Sequence, residues 1–372
     1  MSSTITRRDC RQDQDASEGP PPFRIACWPL DRANPYQSLF YQALSAHNVS
    51  VTYPESIDDE WLAHTTPNMD AIHIHWPEAL WRVRGNSFLG RLRGAVGVWR
   101  FLRKARKQGI KLIWTVHNLC AHEGVDCVDH LGYYALHRNS DLLICHDQHV
   151  ADSVEARCPA RSTVVVMRHG NYEGCFPQPA NRSDTLRKLE LNPAVLTFCC
   201  VGQMRHYKGF DLALAAAGAT KLPMQLIVAG NPHPELDIES MRRAVAKLPG
   251  ARLIERFLTP QDFADLVAAS DGVLLPYRNI SGSGALLAAL TLKRPVIATN
   301  LPYFSTTLAI EPDAGVLFEN GRVESLVKAF DRFVELPLTH RQEASRRLAE
   351  QHAWPSTIAP VVQAISTWRQ RN

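Results

Sequence analysis

The sequence predicts an α/β protein of two doubly wound, Rossmann-like domains that face a central cleft. Three observations support this fold class. The chain has 372 residues, which is long for one domain and suits two. Short strand-like runs alternate with longer helical runs, as in parallel sheets covered by helices. The alternation breaks between His169 and Leu191, in a stretch of Asn, Pro, Gly and Ser that favours an interdomain linker.

The first half opens with a polar stretch, residues 1–22, whose composition predicts a disordered tail. Residues 23–175 then form the first predicted domain. Its strand-like runs are RIACW, VSVTY, AIHIHW, KLIWTVH, DLLICHD and STVVVM, and its helical runs include PYQSLFYQALSA and VDHLGYYALHRN. This order predicts a mostly parallel sheet with helices between the strands.

The second half repeats the pattern over residues 176–351. Strand-like runs LTFCCVG, QLIVAG, ARLIERF, GVLLPY, RPVIAT and AGVLF alternate with helical runs such as KGFDLALAAAG and PQDFADLVAAS. Two such sheets in tandem place a cleft between the carboxyl ends of their strands, where these folds bind ligands. The last segment, 352–372, is predicted to form a helix that crosses back towards the first domain.

Composition excludes several classes of protein. Hydrophobic content of 45% and charged content of 21% are those of a soluble folded chain, and no apolar run approaches the length of a membrane span. The N-terminus does not resemble a signal peptide, so we expect a cytoplasmic location. The nine cysteines form no C-x-x-C pair, which predicts reduced thiols and no metal site. The sequence contains no Walker A motif and no dinucleotide fingerprint.

Two segments of the second half carry features of an anion site. In VGQMRHYKGF a strand ends at Gly202, and Arg205 and Lys208 follow just before a helix. Cations beside a helix N-terminus suit a diphosphate, although a solvated basic turn fits the spacing equally well. In the second segment Ser281, Gly282, Ser283 and Gly284 precede the helical run ALLAALTL. Their amides could bind an anion, or a serine could simply cap the helix. Together the two segments favour the anion site.

These motifs resemble the nucleotide-sugar domain of GT-B glycosyltransferases. The order is G-x-x-R-x-x-K-G, then AGNP, then LPY, SG, LLAAL and RPVIA. In the first half NPYQSLFYQAL, HIHWPE and TVHNLCAHE look most like the β-mannosyltransferases that add mannose to polyprenyl-diphosphate-linked oligosaccharides. The resemblance spans nearly the whole chain after residue 22. It implies an acceptor-side first domain, a donor-side second domain and no cofactor beyond a nucleotide sugar such as GDP-mannose.

The resemblance also implies roles for residues at strand ends. The donor would contact Gly202, Arg205, Lys208, Asn231, Phe257, Leu258, Tyr277 and the turn Ser281–Gly284. The acceptor, a lipid-linked oligosaccharide, would contact His75, Trp76, His117 and Asn118. For each donor residue outside the anion segments, simple packing of a loop is the alternative.

One departure from the family pattern bears on stereochemistry. Many retaining GT-B enzymes carry two glutamates eight residues apart, and Ile280 and Ala288 stand at those positions here. This favours an inverting reaction, in which a base deprotonates the acceptor. Glu123, Glu78 and His122 are the candidates, with Glu123 first, although Glu78 could instead cap a helix. A retaining enzyme using another nucleotide sugar, such as a UDP-sugar, and a soluble acceptor, or a non-catalytic sugar-nucleotide binder, are the alternatives.

The segment 81–111 contains ten Lys and Arg and no acidic residue. Because apolar side chains interleave with these cations, the segment suits a helix lying on an anionic membrane surface. The alternative is a helix whose apolar side packs on the sheet. No nucleic-acid-binding fold accompanies the patch, so no nucleic acid is expected. The protein would then be peripheral on the inner face of the cell membrane. The interleaved apolar residues are Trp81, Phe88, Leu89, Leu92, Val96, Trp99, Phe101 and Leu102.

Overall fold

The computed structural model describes residues 20–32, 34–65, 68–82, 87–119 and 126–370. Within them the chain forms two six-stranded sheets in which all neighbouring strands run parallel. Helices connect successive strands in both halves. The predicted fold class, two doubly wound α/β domains, is therefore confirmed. Of the predicted tail, residues 1–19 lie outside the described residues.

The first sheet has the strand order β2-β1-β3-β4-β5-β6. The order reverses between β1 and β3, so loops after these strands face one crevice. Strands β3 and β5 are buried along their whole length, as expected for central strands of a parallel sheet. The strands are β1 (Phe23–Trp28), β2 (Val49–Thr52), β3 (Ala71–Ile74), β4 (Lys111–Val116), β5 (Leu142–Cys145) and β6 (Thr163–Val166). The helices are α1 (Pro35–Ser45), α2 (Asp59–Thr65), α3 (Ala79–Arg82), α4 (Phe88–Lys107), α5 (Cys127–Asn139) and α6 (Gln148–Glu155).

The second sheet has the order β9-β8-β7-β10-β11-β12, which reverses between β7 and β10. In doubly wound folds with such an order, the ligand binds at the point where the strand order reverses. The strands are β7 (Leu196–Val201), β8 (Met224–Gly230), β9 (Ala251–Glu255), β10 (Gly272–Leu275), β11 (Val296–Thr299) and β12 (Gly315–Phe318). The helices are α7 (Arg182–Lys188), α8 (Phe210–Ala219), α9 (Ile238–Ala246), α10 (Pro260–Ala269), α11 (Gly284–Thr291), α12 (Pro302–Leu308), α13 (Val323–Val334) and α14 (Leu338–Gln351).

The C-terminal helices α15 (Trp354–Thr357) and α16 (Ala359–Arg369) pack on the first sheet. The rings of Trp368 and Phe23 lie 6.1 Å apart between centroids. Where the chain returns, the indole N–H of Trp354 donates to the carbonyl of Asn171 at 2.8 Å, and the Asn171 N–H donates to the His352 carbonyl at 2.7 Å. The two segments that connect the domains, around Asn171 and around His352, are therefore hydrogen-bonded to each other.

Helix α7 lies in the stretch that the sequence assigned to a linker, so that part of the prediction is wrong. The Asn181 side chain caps it by accepting from the Ser183 N–H at 2.8 Å. The helix buries Leu186 in the core of the second domain. Its sequence, RSDTLRK, has too few apolar residues to show a helical period, and burial of one leucine is visible only in the folded chain.

Helix α4 contains most of the basic segment and has two apolar faces. Ala95, Val98, Phe101 and Leu102 are buried against the first domain. Phe101, Leu102 and Trp81 were expected on an exposed face, and that expectation is wrong for all three. Trp81 is fully buried in the core of the first domain, where its indole N–H donates to the buried carboxylate of Asp129 at 2.8 Å. The other apolar face remains exposed and includes Phe88, Leu89, Val96 and Trp99.

The seven described cysteines are free thiols. Cys27, Cys145, Cys199 and Cys200 are buried in strands, where they act as small apolar residues. Cys127 differs from these four in being exposed, at the start of α5.

Candidate active site

The two anion-site segments follow β7 and β10, the neighbouring strands at which the second sheet reverses its order. Because parallel strands end at one edge, their loops meet there. Arg278 joins them. Its N–H donates to the Tyr207 carbonyl at 2.7 Å, and its guanidinium donates to the His206 carbonyl and to both oxygens of the Asp211 carboxylate at 2.6 to 3.0 Å. The turn after β10 is therefore held against the turn after β7.

Lys208 lies at the end of a 3₁₀ turn, His206–Lys208, just before α8. Its ammonium group lies 5.6 Å from the centroid of the Tyr277 ring, a cation–π arrangement. Burial lowers the pKa of Lys208 to about 8, and the nearby charge of Arg205 adds to the effect. Among the described residues no carboxylate forms an ion pair with Lys208. A desolvated cation of this kind favours binding of an anionic ligand.

The turn after β10 leads into α11, whose N-cap is Ser283. The Ser283 hydroxyl accepts from the Leu286 N–H at 3.2 Å and is therefore part of the helix itself. Gly284 approaches Tyr172 so closely that a Cβ would lie 2.5 Å from the phenol oxygen. Gly284 and Ala285, in the first turn of α11, line the cleft, where the N–H groups of a helix N-terminus favour an anion.

Two cavities adjoin in the cleft and share Asn34, Tyr172 and Gly284 as lining residues. We name them the donor-side cavity, of about 430 Å³, and the acceptor-side cavity, of about 210 Å³. The donor-side cavity is lined by Gly202, Lys208, Phe257, Leu258 and Ala288, among others. The acceptor-side cavity is lined by Tyr36, Trp76, His117, Asn118, His146, His169 and Gly282, among others. A third cavity, of about 520 Å³ beside Leu196 and Phe333, lies at the opposite edge of the second sheet.

Histidines follow four neighbouring strands of the first sheet. His75 follows β3, His117 follows β4, His146 follows β5 and His169 lies shortly after β6. Their rings surround Tyr36 of α1, with centroids 4.9 to 5.9 Å from its ring. Burial lowers the pKa of all four, to about 4 for His146 and to about 3 for His169. The cluster is therefore neutral near pH 7.

Hydrogen bonds connect part of this cluster to the sheet interior. His75 Nδ1 lies 3.0 Å from His117 Nε2, and Tyr41 Oη lies 3.3 Å from His75 Nε2 and 2.7 Å from His73 Nδ1. His73 Nε2 in turn lies 2.8 Å from the hydroxyl of Thr115. His73 is fully buried, so it is a core residue, and the chain of hydrogen bonds fixes the orientation of His117 in the cleft.

Trp76 has a backbone φ of 28°, which is rare for a bulky residue. Its indole stacks on His117 with a centroid distance of 4.7 Å and an interplanar angle of 10°. Strained backbone of this kind persists where the surroundings hold it and is frequent at functional sites. The strain places a flat aromatic surface on the wall of the acceptor-side cavity.

Comparison with known proteins identifies the fold and the enzyme class. Residues 196–335, from β7 through α13, match the family described as glycosyl transferases group 1. Over the whole fold, the chain superposes on sucrose-phosphate synthase from Thermosynechococcus elongatus with a TM-score of 0.67 at 16% identity, covering 94% of this chain and 98% of that one. The chain is a nucleotide-sugar-dependent GT-B glycosyltransferase.

Further similarities extend along both domains of the glycosyltransferase. A GDP-mannose:glycolipid 4-β-D-mannosyltransferase from Xanthomonas campestris pv. campestris is 27% identical over 291 residues, which is 77% of this chain and 75% of that one. A D-inositol 3-phosphate glycosyltransferase from Rhodococcus erythropolis is 24% identical over 67% of this chain and 61% of its own length. The structure of HepE from Anabaena in complex with UDP and glucose superposes with a TM-score of 0.66 at 13% identity, over 94% and 100% of the two chains.

The structure brings five of the eleven predicted donor residues of the glycosyltransferase to one cavity. Gly202, Lys208, Phe257, Leu258 and Gly284 line the donor-side cavity, with Phe257 at its rim and 65% exposed. Other predicted residues stand apart from the lining. Tyr277 is buried beneath Lys208, Asn231 is exposed and accepts from the Met204 N–H through its carbonyl, Ser281 is half-buried, and Arg205 donates to the Gln203 side chain.

Of the three predicted bases of the glycosyltransferase, Glu78 is the one that the structure describes, and it lies away from both cavities. The Glu78 carboxylate accepts a hydrogen bond from the Tyr133 hydroxyl of α5, and Glu78 lines neither cavity. His122 and Glu123 lie outside the described residues. The predicted acceptor residues Trp76, His117 and Asn118 all line the acceptor-side cavity, and His75 lies directly behind His117.

Five residues that were not predicted as site residues also line the cleft: Asn34, Tyr36, Tyr172, His146 and His169. A signal for the last two was present. Polar residues at the carboxyl ends of parallel strands point to the ligand site, and His146 directly follows the strand LLIC.

In the described part of the chain, no three His, Cys, Asp or Glu side chains are grouped to bind a metal ion. None of the described helices is long and apolar enough to cross a membrane.

Proposed function

We propose that the enzyme transfers mannose from GDP-mannose, with inversion, to an oligosaccharide carried on a polyprenyl diphosphate. The observation that carries the donor half of this proposal is the half-buried cation Lys208, which has no carboxylate partner among the described residues and lies on the wall of a cavity that the first turn of α11 also lines. The relative from Xanthomonas campestris, a GDP-mannose:glycolipid 4-β-D-mannosyltransferase, supports the choice of donor and acceptor.

In the proposed reaction the donor diphosphate lies between Lys208 and the N-terminus of α11. As the bond between the sugar and the diphosphate breaks, negative charge grows on the leaving group, and both partners stabilise it. The nucleoside extends towards Phe257 and Leu258, which offer an exposed aromatic ring and an aliphatic neighbour. The reaction as proposed requires no metal ion, because the protein itself supplies this charge stabilisation.

Inversion is proposed because of the side chain at position 288. Ala288 lines the donor-side cavity, and Ile280 is half-buried at the turn before α11. Neither side chain can hydrogen bond to a ribose or carry a negative charge, so the two carboxylates expected of a retaining enzyme are missing from these positions. Determination of the product anomer by NMR tests this part, since an α-mannoside would show retention.

A thermal-shift screen tests the donor assignment. Since a ligand stabilises the state that binds it, GDP-mannose at about 100 times its Kd should add about 2.7 kcal/mol to the free energy of unfolding. UDP-sugars should give smaller shifts at equal concentration. A larger shift with a UDP-sugar would contradict the proposed donor and favour the alternative of a UDP-dependent transferase.

Donor affinity is expected to fall as pH rises through about 8. Lys208 in the free enzyme has a pKa lowered to about 8, and a bound diphosphate raises it. Below pH 8 the lysine is charged in both states and affinity is constant. Above it the free enzyme loses the proton that the complex needs, so Kd rises about tenfold per pH unit. Titration by calorimetry at pH 7 to 9 measures this effect.

Lys208→Arg is the matched control for the pH titration. The guanidinium keeps its charge at every pH used, so Kd should lose its dependence on protein ionisation. Any dependence of Kd on pH that remains in this variant comes from ionisation of the nucleotide base. Equal slopes in the wild-type enzyme and in the variant would contradict the assignment of Lys208 as a diphosphate ligand.

Membrane contact is proposed for the exposed face of α4. Phe88, Leu89, Val96 and Trp99 lie beside exposed arginines there, and the guanidinium of Arg103 lies 5.3 Å from the Trp99 ring centroid. Apolar side chains flanked by cations suit the boundary between headgroups and acyl chains of anionic lipid. Peripheral docking would bring the cleft to a lipid-linked acceptor at the inner face of the membrane.

Vesicle flotation tests the membrane proposal. The triple variant Phe88→Ser, Leu89→Ser, Trp99→Ser should lose most binding to vesicles containing phosphatidylglycerol, because about 2 kcal/mol of burial is removed per large side chain. Val334→Ser changes an exposed apolar residue of the second domain and should bind as the wild-type enzyme does. Equal flotation of the triple variant and the wild-type enzyme would exclude α4 as the docking face.

A further inference from the structure

His146 has a tautomer that its surroundings determine. Its Nδ1 lies 3.0 Å from the carbonyl oxygen of Met167, which can only accept a hydrogen bond. Nδ1 therefore carries the proton, and Nε2 carries a free lone pair. Nε2 is buried and has no hydrogen-bond partner among the described residues. A buried acceptor without a partner costs free energy, and such groups occur where a catalytic role accounts for them.

The unpartnered nitrogen lies at the boundary between the two domains. A Cβ placed on Gly282 would lie 3.4 Å from His146 Cδ2, the ring atom bonded to Nε2. Gly282 belongs to the turn that leads into α11, and both residues line the acceptor-side cavity. His146 is therefore a residue of the first domain whose basic edge faces the turn proposed to hold the donor diphosphate.

Three other described groups, His117, Glu78 and Tyr36, are less suited to accept a proton here. His117 Nε2 is already within 3.0 Å of His75 Nδ1, and the Glu78 carboxylate is bonded to Tyr133 away from both cavities. Tyr36 lines the same cavity and also has an unpartnered hydroxyl, but burial raises its pKa well above its ordinary value, so it stays protonated.

We propose that His146 is the general base of the transfer reaction, an inference that rests on the proposed glycosyl transfer with inversion. The acceptor O–H bond breaks and its proton passes to His146 Nε2. The acceptor oxygen uses the released electron pair to bond to the anomeric carbon, while the bond from that carbon to the diphosphate breaks and its electrons leave with the nucleoside diphosphate. After product release the imidazolium returns its proton to water.

The electrostatics of the cleft favour this role. Burial holds the imidazole neutral in the free enzyme, ready to accept a proton. The donor brings negative charge to the turn beside Gly282, and this charge stabilises the imidazolium that forms as the diphosphate leaves. Proton acceptance therefore becomes favourable only when a donor occupies the cleft.

Two substitutions of His146 distinguish a general base from a residue that only accepts a hydrogen bond. His146→Gln keeps a polar side chain of similar length whose amide oxygen can accept a hydrogen bond but cannot take a proton at neutral pH. His146→Asn keeps an amide N–H near the position of Nδ1 for the Met167 carbonyl. Both variants should release nucleoside diphosphate from GDP-mannose, in the presence of a membrane glycolipid extract, about 10²- to 10⁴-fold more slowly than the wild-type enzyme. His149→Gln, an exposed position on α6, should be unaffected.

Donor binding and chemical rescue complete the test. Both His146 variants should keep the wild-type thermal shift with GDP-mannose, which separates loss of the base from failure of the donor assignment. His146→Gly leaves a ring-sized space, and added imidazole should restore part of its lost rate. Wild-type turnover in His146→Gln would overturn the proposal, as would a rate of His146→Gly that imidazole does not change while GDP-mannose still binds.

Discussion

Substitution of Lys208 by alanine is expected to reduce sugar transfer by about 10²- to 10³-fold. This magnitude is typical for the loss of one charge-stabilising group from a reaction site shielded from water. Lys208 has no carboxylate partner among the described residues, so its charge is available to a ligand, and it stands over the Tyr277 ring on the wall of the donor-side cavity. Steady-state release of nucleoside diphosphate from GDP-mannose measures the effect.

The control for this experiment is Lys247→Ala, which removes an exposed lysine at the end of α9. It should leave turnover unchanged, because a solvated charge far from the cleft is screened. The Lys208→Ala enzyme should fold normally, since removal of a desolvated charge relieves a cost of folding. Full activity of Lys208→Ala would show that the diphosphate is held elsewhere.

Substitution of Gly209 by alanine is expected to lower the free energy of unfolding by about 3 kcal/mol. Gly209 has φ of +67°, a left-handed conformation, and a Cβ there would lie 2.0 Å from the Pro276 carbonyl oxygen. The clash is with a backbone oxygen and not with a movable side chain. It can therefore be relieved only if the turn after β7 or the segment after β10 moves. Urea unfolding monitored by circular dichroism measures the change.

Gly321→Ala distinguishes the cost of a left-handed alanine from the cost of the Cβ clash. Gly321 has φ of +72°, almost the same conformation, but no atom lies within 4 Å of the position of its Cβ. This variant should cost about 1 kcal/mol, the penalty for a left-handed alanine alone. Equal losses in the two variants would show that close packing between the turn after β7 and the Pro276 backbone contributes nothing to stability.

The fold class could be predicted from the sequence because its evidence is local. Strand-like runs such as LTFCCVG and QLIVAG, separated by helical runs, were found as β7 and β8. The two segments predicted to bind an anion lie together, since Lys208 and Gly284 line one cavity where the ends of β7 and β10 meet, and anion binding there stays a prediction. Helix α7 was missed because RSDTLRK carries no apolar period.

The histidine cluster shows where prediction from sequence ends. His75, His117, His146 and His169 are separated by 42, 29 and 23 residues, and each follows a successive strand of the parallel α/β sheet. Their convergence on Tyr36 depends on β3, β4, β5 and β6 being neighbours in that order, which the sequence does not state. The predicted bases Glu78, His122 and Glu123 were chosen by residue type and position after strands, without knowledge of which side chains reach the cleft.

The sequence by itself determined the two-domain α/β fold, the likeness to GT-B glycosyltransferases and the two segments proposed to bind an anion, because alternation and motif spacing are properties of neighbouring residues. Only the tertiary structure decided that Glu78 is bonded to Tyr133, that Trp81 is buried on Asp129 and that His146 Nε2 has no partner. Burial, tautomer and pKa depend on groups far apart in the chain, and these are fixed when the strands take their order and the domains meet.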